Sequence, residues 1–128
     1  NPVRYDEALK VYLALYMGEK LETGKKINLA FKMARTFEKL DRIELALDQY
    51  YGGVICAYRD ARARGEVFDD EVKSNFARAA FRLSDEYERR GQDEKAKNIL
   101  RLVIRSDVKA SVEEARRRLK RIKKKGGF

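Results

Sequence analysis

No histidine occurs in this 128-residue chain, and that absence bounds its chemistry before any motif is read. Ser-His-Asp and Cys-His nucleophilic machinery, imidazole general bases and histidine metal ligands are all excluded. The remaining candidates are one thiol, Cys56, and a dense field of 21 Asp and Glu against 30 Lys and Arg. Cys56 stands among Val54, Ile55 and Ala57 and reads as a small buried hydrophobe rather than a reactive thiol. The acidic group Glu66, Asp69, Asp70 and Glu71 lacks the alternating ligands and the glycine of a calcium loop, so it reads as helix initiation. No carboxylate pair stands apart from the field of ion pairs, and no catalytic acid or base is nominated. The expectation is a non-enzymatic chain with no cofactor and no metal.

The cations are the other chemical resource, and their distribution matters more than their total. Residues 1–77 hold thirteen charges of each sign, so the whole excess of nine lies in 78–128. Most of it is the run Arg116, Arg117, Arg118, Lys120, Arg121, Lys123, Lys124 and Lys125, which contains no acid. Such a run can contact phosphate backbones or an anionic membrane surface, with an affinity that falls steeply with salt. It can equally complement the dipole of a final helix and continue into a flexible basic tail over 123–128. Arg116, Arg117, Arg118, Lys120 and Arg121 are the anion-binding candidates. No aromatic lies within the run to stack on bases, and no nucleic-acid fold motif is present.

Positioning these groups requires a fold, and composition restricts which. Hydrophobic residues at 44% beside a single proline exclude collagen-like, low-complexity and largely disordered classes. A chain of this size buries about two-thirds of its unfolded surface, enough for a hydrophobic core. No apolar run approaches the about 18 to 20 residues that span a bilayer, and the first residues lack a signal-peptide pattern. One cysteine does not distinguish a reducing from an oxidising compartment.

Apolar residues recur at three- and four-residue steps almost throughout, and strand-length alternation is missing, so the chain reads as all-α. Six helices are predicted. The first covers about 5–20 and is broken by Glu22, Thr23 and Gly24. The second covers 26–40, with Asp41 expected to cap the next helix. The third covers 42–64 and ends at Gly65, with Gly52 and Gly53 inside it as a close helix contact or kink. The fourth starts near Asp69 and Asp70 and runs to Gly91, and the fifth opens at Asp93. The sixth starts at Ser111, which forms a capping box with Glu114. Short connections make these antiparallel helical hairpins.

Sliding the chain along itself reveals an internal repeat: residues 30–50 align without a gap on 80–100. Ala30 meets Ala80, Phe31 meets Phe81, Met33 meets Leu83, Phe37 meets Tyr87, Ala46 meets Ala96 and Tyr50 meets Leu100. The second-helix signature also appears in Tyr5-Asp6-Glu7-Ala8-Leu9 followed by Tyr12. This pattern resembles the tetratricopeptide repeat, most recognisably over 86–96. The small alanines let two helices of a hairpin approach closely while the large residues fill the gap to the next hairpin.

The resemblance implies a short α-solenoid over 1–122, with repeats near 26–58 and 76–108 and a capping helix over 111–122. The chain opens in the middle of a repeat, which implies C-terminal repeats of a longer chain. Alternatively the apolar face of the first helix is covered by another copy through self-association. The spacing departs from the family's, since the signature alanines stand 38 and 50 residues apart. The extra length is expected to project as a hairpin with Val67 and Phe68 near its tip.

Members of this family bind a peptide or helix of a protein partner in a groove lined by the first helices of successive hairpins. By resemblance that groove presents Asn28, Phe31, Arg35, Glu38 and Lys39 from one repeat and Arg78, Phe81, Asp85, Glu88 and Arg89 from the next. Phe31 and Arg35 stand where the carboxylate-clamp version carries other residues, so capture of a chaperone-type acidic C-terminus is not expected. The competing reading packs Phe31 and Phe81 into the helix layer and leaves the charges as a solvated face. Two functions stand: a non-enzymatic protein-interaction scaffold, or electrostatic binding of nucleic acid or an anionic surface through the basic end.

Overall fold

The computed structural model describes residues 2–18 and 21–126. Among them the regular elements are all helical: α1 (Pro2–Gly18), α2 (Thr23–Lys39), α3 (Ile43–Asp48), a π-helical segment (Gln49–Cys56), α4 (Ala57–Ala63), α5 (Asp70–Arg89), α6 (Asp93–Ile104) and α7 (Lys109–Gly126). The π segment joins α3 to α4 without interruption, so 43–63 is one rod and the described residues form six rods. The chain is all-α, as its periodicity predicts.

The chain divides into two compact units, Asn1–Phe76 and Ala77–Phe128, where one domain was expected over 1–122. In the first unit, α2 and the 43–63 rod form a hairpin and α1 packs on α2. Its core is Ile27, Ala30, Phe31, Met33 and Ala34 of α2 against Ala46, Leu47, Tyr50, Val54, Ile55 and Tyr58. Tyr58 stacks on Phe76 at 4.3 Å between ring centroids. Gly53 marks a close approach in the hairpin, since a Cβ there would stand 2.6 Å from the Cβ of Ala30. Gly52 has open space, so only the second glycine serves the expected close contact.

In the second unit, residues 77–89 of α5 pack with α6 and α7 around Ala80, Leu83, Ala96, Ile99, Leu100, Val103, Ala115 and Ile122, all buried. Ala30 and Ala46 of the first unit and Ala80 and Ala96 of the second are fully buried, as close helix approach requires.

Both hairpins turn in the same way. In the first, Asp41 N–H donates to Glu38 C=O and Arg42 N–H to Phe37 C=O; in the second, Gly91 N–H donates to Glu88 C=O and Gln92 N–H to Tyr87 C=O. Each is a Schellman closure around one left-handed residue, at φ 59° for Asp41 and 76° for Gly91. Asp41 therefore ends α2 instead of capping α3. Gly65 closes α4 by the same pattern, and Asp69 caps α5 by accepting the Val72 N–H at 3.0 Å.

Three further expectations change. The capping box at Ser111 does not form, because α7 starts two residues earlier at Lys109. Its entry is set by the Ser106 hydroxyl, which accepts the Val108 N–H, and by burial of Val108. The basic run, expected to leave the helix at 123, is helical through Gly126; residues 127 and 128 lie outside the described residues. The end of the 43–63 rod is partly covered: Val67 is exposed, but the Phe68 ring sits 5.2 Å from that of Tyr58 and beside Gly24. The expected end of the first helix at Lys20 also lies outside the described residues.

Candidate functional site

The groove residues expected on α2 lie on its hydrophobic stripe and its margin, and the structure separates them. Phe31 is 4% exposed and packs against Tyr50 with ring centroids 5.8 Å apart. It is a core residue and not a groove contact, because the small side chain of Ala30 lets the 43–63 rod close over that side of α2. Asn28 is half-buried and its Oδ1 accepts a hydrogen bond from Asn75 Nδ2 at 2.9 Å, which ties α2 to the start of α5. Glu38 accepts the Tyr50 hydroxyl at 2.5 Å. Arg35 and Lys39 are exposed, with the Arg35 guanidinium 6.0 Å from the Phe31 ring centre.

On α5 of the second unit, the expected groove face is taken by α7. The Arg118 guanidinium lies 4.4 Å from the centre of the half-buried Phe81 ring and donates to Asp85 at 3.0 Å. Arg121 grips both oxygens of Glu88, at 2.7 and 2.9 Å, and Lys125 reaches Glu88 at 3.0 Å and Asp93 at 3.5 Å. The Arg121 hydrogen bond, with help from Lys125, holds the Glu88 carboxyl at about 2 against the upward push of its burial. Arg78 is exposed, and Arg89 is paired with Glu86.

Glu86 was not singled out by sequence reasoning, yet it is the most enclosed acid of this unit, 4% exposed beneath Arg89, Arg90 at 2.8 Å and Arg82 at 3.2 Å. Arg89 foremost, then Arg90 and Arg82, bring its pKa to about 2 while burial opposes them. Perturbed acids often mark chemistry. Here both oxygens are saturated by guanidinium, so the group is structural. The signal was in the sequence: acid and arginine at steps of three and four along one helix.

Of the anion-binding candidates, Arg118 and Arg121 are thus engaged by α5. Arg116 and Arg117 pair within α7 with Glu113 at 3.1 Å and Glu114 at 2.7 Å, and Lys120 is exposed. Among the described residues no group of His, Cys, Asp and Glu could hold a metal ion, and no helix is long and apolar enough to cross a membrane. Cys56, expected to be buried, is half-buried beside Tyr51, whose hydroxyl pKa is raised by their hydrogen bond.

An unassigned apolar surface lies on α1. None of its described side chains is buried, and Val11, Leu13, Leu15, Tyr16 and Met17 are all exposed, Met17 to 76%. Residues 11–17 contain no charge, a signal visible in the sequence as a gap between Lys10 and Glu19. Compared with family models, curated proteins and solved structures, the chain matches none.

Proposed function

We propose that this chain is a non-enzymatic interaction module, of the kind its resemblance to tetratricopeptide repeats implies, that holds a helix of a protein partner on its own helix faces. The observation that carries this reading is the second half of α1, which is free of charge and exposes apolar side chains on opposite sides. A helix apolar on every side is normally a buried helix, and an exposed apolar patch of this kind marks an interaction surface. The cover that fits is another apolar helix face, packed ridge into groove. The repeated hairpin with its shared turn supports the family resemblance. Phe31 and Phe81 leave the contact list, and Arg35 and Lys39 stay on it as exposed charges on α2.

The test is affinity capture from nuclease-treated source-cell lysate, with the intact chain beside Leu13→Glu/Met17→Glu. The expected result is a discrete protein retained by the intact chain and lost from the variant, with thermal melting unchanged because neither side chain is buried. Capture indifferent to the variant removes α1 from the interface. A second copy of the chain is one partner the face can accept, and sedimentation of both proteins at rising concentration identifies that case.

A further inference from the structure

The second unit carries seventeen Lys and Arg against eight Asp and Glu, an excess of nine that equals the charge of the whole chain. On α7 the geometry sorts these cations into two sets. Arg118, Arg121 and Lys125 face α5 and are held by Asp85, Glu88 and Asp93. At about 3.6 residues per turn, Arg116, Arg117, Lys120, Lys123 and Lys124 share an arc of about 120° on the opposite, solvent side, and Lys109 falls on the same arc. All six are exposed. Arg116 pairs one turn back with exposed Glu113, and exposed Arg117 shares half-buried Glu114 with Arg118, solvent-side pairs of little net strength. Lys120, Lys123 and Lys124 form no ion pair among the described residues. Arg116, Arg117 and Lys120 line a shallow depression with Glu113, the one acid on this side.

We propose that this outer face of α7 binds the phosphate backbone of a nucleic-acid duplex without reading its sequence. The face is a rigid row: Arg116 to Lys124 spans about 12 Å, and Lys109 extends it to about 22 Å at 1.5 Å per residue. A duplex offers the matching object, a rigid line of about one negative charge per 1.7 Å of axis. Single strands fit less well, because their binding relies on aromatic platforms. The described part of α7 has no aromatic, and the nearby Phe81 ring is covered by Arg118. A bilayer surface fits less well too, since interfacial helices insert an apolar face. The apolar residues Ala115 and Ile122 of α7 are buried in the core of its own unit. The inference is independent of the proposal for α1.

The experiment is fluorescence anisotropy of the full chain with labelled DNA and RNA duplexes, a single-stranded oligonucleotide, phosphatidylserine vesicles and a polyglutamate peptide. Three to five phosphate contacts predict that duplex affinity falls about 40- to 500-fold between 50 and 200 mM salt. The variant Lys120→Gln/Lys123→Gln/Lys124→Gln is expected to lose about tenfold or more. Lys10→Gln/Lys25→Gln/Lys32→Gln removes the same charge from exposed positions of the first unit and is expected to lose less than about threefold. Circular-dichroism melts of both variants check that folding is retained. The proposal is overturned if no duplex binds, if both variants lose affinity equally, or if the single strand, vesicles or peptide bind as tightly as the duplexes at the same salt.

Discussion

Asp41 and Gly91 occupy the same place in the two hairpin turns, and only one of them is suited to it. With a positive φ of 59°, Asp41 strains a backbone that glycine enters freely. Asp41→Gly is therefore expected to raise stability by about 0.5–1 kcal/mol, and Gly91→Ala to lower it by about 1 kcal/mol, both read from urea unfolding midpoints. Phe31 makes a stronger contrast with its neighbour on the helix. Phe31→Ala removes a buried ring and is expected to cost about 3–4 kcal/mol, whereas exposed Arg35→Ala should stay within about 0.5 kcal/mol. The same measurement separates a core residue from an exposed one. Glu86 and Glu88, whose folded pKa values fall from 4.5 to about 2, contribute stability that is complete above 4.5 and lost as pH falls toward about 2. Melting temperatures at pH 7 and pH 3 should therefore differ, and Glu86→Gln should shrink the difference. That Glu86 would be engaged was legible in its arginines three and four residues away, Arg82, Arg89 and Arg90. That α7 supplies the partners of Glu88 was not, because they stand 33 and 37 residues away.

At the scale of elements, the π segment shows how a local rule is overridden by packing. Alanine normally improves a helix at a glycine position by about 1 kcal/mol. At Gly52 nothing stands within 4 Å of an added Cβ, so Gly52→Ala should be neutral to stabilising. At Gly53 the added carbon meets Ala30 at 2.6 Å, so Gly53→Ala should destabilise by about 1–3 kcal/mol as the hairpin is forced apart. Denaturant titration of the two single variants gives opposite signs if this packing is correct. The pair of glycines was visible in the sequence as a site of close contact or bending. Which glycine makes the contact depends on the rotation of the rod against α2, and that rotation is set across the hairpin.

For the whole molecule, charge and apolar exposure are segregated. The first unit is neutral and displays the bare apolar stretch of α1, while the second holds the full excess of nine positive charges. Replacing Leu13 and Met17 with glutamate should cut the binding of a dye that reports exposed apolar surface and raise solubility, without lowering the melting temperature.

The sequence by itself determined the all-α class, the six rods, the recurrence of one hairpin pattern and the place of the basic excess. These follow from periodicity, turn residues and composition, which act over a few residues and need no knowledge of neighbours. Only the tertiary structure decided that Phe31 belongs to the core, that Asp41 closes a helix instead of opening one, and that the cations of α7 divide into a side clamped by α5 and a side facing solvent. Each of those depends on which helix lies against which face. Neither Tyr50 behind Phe31 nor Glu88 beneath Arg121 can be assigned from spacing along a single helix.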